Sequence, residues 1–99
     1  MKDPATYITS NKHNSVIYVG VTSDLKGRIE KHKNKTYKNS FSARYNVDKL
    51  VWFEKHPRME DAIAREKQLK AGNRARKIKL IEEMNPQWRD LYDGLEGGA

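Results

Sequence analysis

Tyr18-Val19-Gly20-Val21-Thr22-Ser23-Asp24-Leu25-Lys26-Gly27-Arg28-Ile29-Glu30-Lys31-His32 decides the reading of this chain. It opens inside a β-prone run, Val16 to Val21, that is rich in β-branched and aromatic residues. Thr22, Ser23 and Asp24 then offer side-chain oxygens to cap a helix from about Leu25 to Lys33, in which Leu25 and Ile29 lie one turn apart and face the sheet. Arg28 and His32 are also one turn apart, so both project from one surface row and can serve one site. Taken alone, basic residues at this spacing are usually a solvated helix face.

Working outward toward the N-terminus, Thr6-Tyr7-Ile8-Thr9 reads as another strand, and Asn11-Lys12-His13-Asn14 as the turn of a hairpin. If Ser10 pairs with Ser15, antiparallel register sets Tyr7 opposite Tyr18, with β-carbons roughly 5 Å apart on one face. Such a pair has an ordinary explanation as cross-strand packing.

Toward the C-terminus, residues 34–46 lose periodicity and become polar, basic and aromatic, which reads as a long loop or a short irregular helix. A third strand spans 48–54 and is closed by His56-Pro57. Met59, Ala62, Ile63 and Leu69 mark a helix with one buried stripe, ended by Gly72. Asn73 caps a further helix from Arg74 to Met84, with Ile78, Ile81 and Met84 on its apolar face. Pro86 stops it, and Trp88, Leu91 and Tyr92 pack back on the core. Residues 1–93 read as a single domain and 94–99 as a disordered tail.

Glu66 interrupts the stripe between Ala62 and Leu69, so its carboxylate faces inward. An unpaired buried charge is costly, and Glu66 must therefore find a cation, a metal ion, hydrogen-bond donors or a wet cleft. The plainest of these is a structural ion pair with an arginine.

A net charge of +7 on 99 residues points to a polyanionic partner. The absence of cysteine excludes a disulfide framework and thiolate metal sites, and suits a reducing cytoplasm. No apolar run approaches the ~20 residues of a membrane-spanning helix, so a soluble cytoplasmic protein with no membrane partner is expected.

Taken together, these residues resemble the GIY-YIG nuclease family from about Tyr7 to Leu91. Tyr18-Val19-Gly20 is close to the second motif, and the stretch through Arg28 and His32 looks like the second strand and catalytic helix. Ala64-Arg65-Glu66-Lys67-Gln68-Leu69-Lys70 looks like the segment bearing the metal-binding glutamate. The first motif is reduced to its tyrosine, as Ala5-Thr6-Tyr7, and Val21 stands where repair relatives carry a lysine. The supporting asparagine has no clear counterpart, since Asn73 and Asn85 both read as helix-end residues. The closest likeness is to small stand-alone bacterial members related to the N-terminal incision domain of the excision-repair nuclease, excinuclease ABC.

The resemblance implies an α+β fold, a small three-stranded, mostly antiparallel sheet flanked by helices. It also implies phosphodiester hydrolysis with one divalent ion, Mg²⁺ or Mn²⁺, held chiefly by Glu66. Arg28 would hold the phosphate, and Tyr7 or Tyr18 would orient water or take its proton, with His32 the other candidate base. The catalytic set is then Tyr7, Tyr18, Arg28, His32 and Glu66, acting in DNA repair or recombination.

Two basic stretches complete the reading. Arg65, Lys67, Lys70, Arg74, Arg76, Lys77 and Lys79 crowd a segment whose one acid is Glu66. Lys33, Lys35, Lys38 and Arg44 interleave with Tyr37, Phe41 and Tyr45, a pattern suited to backbone contact plus base stacking. No module for reading base sequence is apparent, so the expected substrate is nucleic acid, DNA before RNA, cut with weak sequence preference. The alternative is a non-catalytic basic binding module that keeps the nuclease fold.

Overall fold

The computed structural model describes residues 3–34 and 44–95. Strands β1 (Ala5–Ser10), β2 (Ile17–Thr22) and β3 (Lys49–Lys55) form one antiparallel sheet in the order β2-β1-β3. Among the described residues the helices are α1 (Leu25–Lys33), α2 (Met59–Ala71) and α3 (Arg74–Met84), followed by a 3₁₀ turn at Leu91–Gly94. The α+β class, the strands and the helix boundaries follow the sequence expectation closely.

Helix caps explain those boundaries. The Asp24 side chain accepts from the Gly27 backbone N–H at 3.2 Å, while Thr22 Oγ1 accepts from the Asp24 N–H at 3.0 Å. A β-carbon at Gly27 would overlap the Asp24 carboxylate, so the glycine makes room for the cap. Asn73 caps α3 by accepting from the Arg76 N–H at 2.9 Å. Each cap contributes about 1 kcal/mol.

The central strand β1 is buried along its whole length because both faces of the sheet are covered. On one face Ala5 and Tyr7 pack with Leu25, Ile29 and Leu50 beneath α1. On the other, Ile8, Val19, Val51 and Trp52 meet Leu69 of α2, Ile81 of α3 and Trp88. Fully burying each large apolar side chain contributes about 1.5–3 kcal/mol before entropy is counted. Met59 and Met84, expected in the buried stripes, are instead 37% and 44% exposed, since the helix ends run past the sheet.

The hairpin register differs from expectation by two residues. Tyr7 lies opposite Gly20, and Tyr18 opposite Thr9. The Asn11 side chain sets this: its Oδ1 accepts from the backbone N–H groups of Ser15 and Val16 at 2.8 and 3.1 Å. Ser15 is thereby held in the turn and cannot pair with Ser10. A two-residue slip preserves the face, so Tyr7 and Tyr18 remain on the same side.

Strand β3 carries a bulge, where Ile8 pairs with Trp52 but Thr9 with Leu50. Val51 is the extra residue, and so Val51 and Trp52, neighbours in sequence, enter the same core. Asn85 Nδ2 donates to the Val51 carbonyl at 3.1 Å and to the Arg89 carbonyl at 2.8 Å, and its Oδ1 accepts from the Arg89 N–H at 3.0 Å.

Gly94 and Leu95, both expected in the tail, belong to the folded part: Gly94 closes the 3₁₀ turn, and Leu91, Tyr92 and Leu95 pack against the core cluster that holds Leu25 and Ile29. Residues 96–99 lie outside the described residues, as does most of the expected loop, including Lys35, Tyr37, Lys38 and Phe41.

Candidate active site

Tyr7, Tyr18 and His32 converge over the α1 face of the sheet. Their ring centroids stand 6.5 Å apart for Tyr7 and Tyr18, 6.0 Å for Tyr7 and His32, and 6.2 Å for Tyr18 and His32. Gly20 makes this possible, for a β-carbon there would overlap the Cζ and hydroxyl of Tyr7. The glycine of Tyr18-Val19-Gly20 is thus the floor on which the first tyrosine rests.

The Tyr7 hydroxyl lies 3.1 Å from His32 Nε2, a buried contact that joins β1 to the last turn of α1. Arg28, one turn before His32, lies close enough to the same phenol for its positive charge to pull the phenol pKa down. The phenolic hydrogen is assigned to His32 Nε2, which accepts it when the imidazole is neutral. Burial, followed by the positive charge of Arg28, holds the His32 imidazole below its ordinary value, with Asp48 opposing. His32 is therefore neutral at pH 7 and able to accept.

Burial first, then Tyr18, push Tyr7 well above its ordinary range, and Arg28 brings it only part of the way back. Arg28 by itself does not make Tyr7 a standing phenolate. Glu66 adds a further upward push, which places its carboxylate within electrostatic reach of the phenol.

Glu66 enters from α2, which packs on the opposite face beside the unpaired edge of β2. Its side chain is 17% exposed and sits 3.3 Å from Lys70 Nζ, so the ion pair is made with a lysine one turn on and not with an arginine. Lys70 Nζ in turn lies 5.6 Å from the centre of the Tyr18 ring. Among the described residues no group of three or more His, Asp or Glu side chains is arranged as a metal cage. One partly exposed carboxylate beside the sheet edge is a donor set that fits Mg²⁺, which keeps most of its waters and takes one or two protein oxygens.

The first-motif departures leave this geometry undisturbed. Ala5 is fully buried, and Thr6 Oγ1 donates to the Ala62 carbonyl at 2.7 Å, pointing away from Tyr7 and onto α2. Neither asparagine serves as a reacting group: Asn73 is a helix cap, and the Asn85 amide is consumed by Val51 and Arg89.

The expected nucleic-acid contacts divide into committed and uncommitted charges. Lys33 is paired with Asp90, Lys70 with Glu66, and Arg65 with Glu54 at 3.2 Å while lying over the Trp52 ring. Arg74 holds the hairpin turn through the carbonyls of Asn14 and Ser15. Arg44 lies over Tyr45, and Lys77 Nζ donates to the Gly72 carbonyl at 3.2 Å. Lys67 and Arg76 are exposed and without an ion pair among the described residues.

Sequence reasoning missed the clasp at the other side of α1. The Tyr92 hydroxyl donates to Glu30 at 2.7 Å, Lys26 and Lys33 lie 5.9 and 5.2 Å from its ring centre, and Asp90 accepts from the Leu50 N–H at 3.2 Å. The Asp90-Leu91-Tyr92 order carried only the signal of an apolar return to the core.

A family model described as the GIY-YIG catalytic domain matches residues 3–79, a span holding Tyr7, Tyr18, Arg28, His32 and Glu66. Among curated proteins and among solved structures nothing matches the chain.

Proposed function

Since this chain belongs to the GIY-YIG catalytic-domain family, we propose that it is a metal-dependent endonuclease that hydrolyses DNA phosphodiester bonds, selective for structure more than for sequence. The family is one of nucleases, and a nucleic-acid substrate follows from it. The observation that carries the fuller reading is the buried Tyr7–His32 contact beside Arg28, with Glu66 acting on the same phenol.

The residues divide the work as follows. Arg28 holds the phosphate undergoing attack, its planar fork matching the oxygens as they gain charge. Tyr7 orients the attacking water and moves its proton: the water proton passes to the phenol oxygen as the phenolic hydrogen passes to His32 Nε2. The hydroxide formed bonds to phosphorus, and the bond to the leaving oxygen breaks. This relay suits a phenol whose pKa is raised, because no free phenolate has to exist beforehand. His32 begins neutral and ends charged, with Asp48 on hand to favour the charged form. Tyr18 stands against the Tyr7 and His32 rings and would confine the phosphate.

Glu66 would hold the divalent ion, Mg²⁺ or Mn²⁺, after leaving Lys70. Bound there, the ion would offset negative charge on the phosphate and leaving oxygen. The setting that fits a small nuclease with weak sequence preference is DNA repair or recombination.

Incubating the protein with branched, nicked and single-stranded DNA, and with matched RNA, in Mg²⁺ or Mn²⁺ tests this. Metal-dependent products lost in Glu66→Ala and Arg28→Ala are expected. Equal products from wild type and Glu66→Ala would mark a contaminant and end the proposal, and salt-sensitive binding with no cleavage of any substrate would favour a non-catalytic binding module.

A further inference from the structure

A second depression lies between α2 and α3, away from the tyrosines. It is a cavity of about 290 Å³ with Leu69, Gly72 and Leu80 among its lining residues and Arg76, Lys77 and Lys79 along it. Arg65 and Gln68 also line it, but Arg65 is tied to Glu54 and to Gln68 Oε1, the latter at 2.7 Å, so it contributes shape more than free charge. Glu83 is the one acid in the lining. Arg76 and Lys79 are exposed and have no ion-pair partner among the described residues.

A shallower depression of about 310 Å³ runs along the free edge of β2, lined by Ile17, Tyr18, Val19, Lys70 and Lys77. Lys77 lines both. A phosphate chain leaving Tyr18 therefore has Lys70 and Lys77 along the β2 edge and then the cations of the interhelical groove, with Glu66, paired to Lys70, and Glu83 the acids beside this path. Apolar walls that a base can cover and cations for its phosphate suit a single strand, with leucine packing here in place of the aromatic stacking common in such sites. A cavity of this size accepts about one nucleotide, whereas a duplex, with a major groove about 12 Å wide, is too thick to enter it.

We infer that the α2–α3 groove receives a nucleotide of a single-stranded flank next to the scissile phosphate, so that the protein engages nucleic acid where duplex gives way to single strand. This rests on the nuclease reading only for where the strand begins; the groove's affinity is independent of cleavage. An acidic peptide would satisfy the cations but would leave the apolar lining without a base to cover it.

The test is fluorescence anisotropy in EDTA with labelled duplexes that are blunt or carry a short oligothymidine tail at the 3′ or 5′ end. Wild type should bind one tailed duplex at least about fivefold more tightly than the blunt one, and Arg76→Ala/Lys79→Ala should abolish that preference and lower the salt slope for the tail by about 1.4. Lys12→Ala/Lys55→Ala, which removes equal charge from exposed positions elsewhere, should keep the preference. No tail preference in wild type, or one unchanged in Arg76→Ala/Lys79→Ala, would overturn the inference. Polyglutamate that displaces the tail as well as oligothymidine of equal charge would also overturn it, assigning the groove to an acidic protein. If tail preference is present but no substrate is cleaved, the nuclease reading fails and the groove stands. Cleavage that requires Glu66 without tail preference leaves the nuclease reading standing and removes the groove.

Discussion

The Tyr7 ring occupies the space that a side chain at Gly20, its cross-strand partner, would need. Adding one methyl group by Gly20→Ala must therefore move the ring, and with it the hydroxyl that meets His32. Overpacking of this kind costs about 1–3 kcal/mol. Urea denaturation should show that loss, and cleavage by the fraction that remains folded should fall much further than in a conservative core variant such as Val19→Ile.

Tyr7→Phe keeps the ring and removes the relay. Loss of a buried hydrogen bond costs about 0.5–1.5 kcal/mol of stability, whereas loss of general acid–base transfer costs about 10²–10⁴-fold in rate. Single-turnover cleavage alongside denaturation separates the two. Tyr18→Phe should also impair cleavage more than folding, by less than Tyr7→Phe, since the proposed relay runs through the Tyr7 hydroxyl to His32 Nε2.

His32 gives stability a pH dependence with a definite sign. Its pKa is lowered on folding, so the unfolded chain binds more protons between the folded pKa and the ordinary value of about 6.5. The contribution is complete above that ordinary value and is lost as pH falls through the folded pKa. Tyr7 works in the opposite window: its pKa is raised, so its contribution is complete below about 10 and is lost as pH rises above it. Urea midpoints measured across pH should fall at both ends, and His32→Gln should flatten the acid side alone.

Asn85→Ala should unfold the protein more readily while sparing its chemistry. The substitution strands the Val51 carbonyl at the bulge and frees both backbone groups of Arg89 that Asn85 holds. A cost of about 2–3 kcal/mol is expected from unsatisfied buried groups. Cleavage per folded molecule, measured at a temperature where both proteins are folded, should match wild type.

The sequence was a good guide wherever a local signal coincided with the tertiary outcome. Asp24 and Asn73 announced their caps, and the strand propensities of β1, β2 and β3 were met by a sheet with two covered faces. The tyrosines fell on one face as expected, yet the register was off by two residues. Strand composition cannot see that the Asn11 side chain will claim the Ser15 and Val16 amides. The inward Glu66 was legible from its stripe, but its partner was not, because a lysine one turn on competes with any arginine from elsewhere. Arg28 and His32 were placed together, while the direct bond from His32 to Tyr7 depends on how α1 lies across β1. The bulge at Val51 had no sequence signal, since Leu50-Val51-Trp52 reads as an uninterrupted strand.

The match to the family model ends at residue 79, yet the helix carrying Arg28 and His32 is braced from further along the chain. Asp90 joins Leu50 of β3 to Lys33 of α1, and Tyr92 fastens Glu30. A fragment trimmed to the matched span would retain every proposed reactive side chain and lose the strut that aims two of them. In this protein the side chains proposed for the chemistry and the contacts that brace them are written in different stretches of the polypeptide.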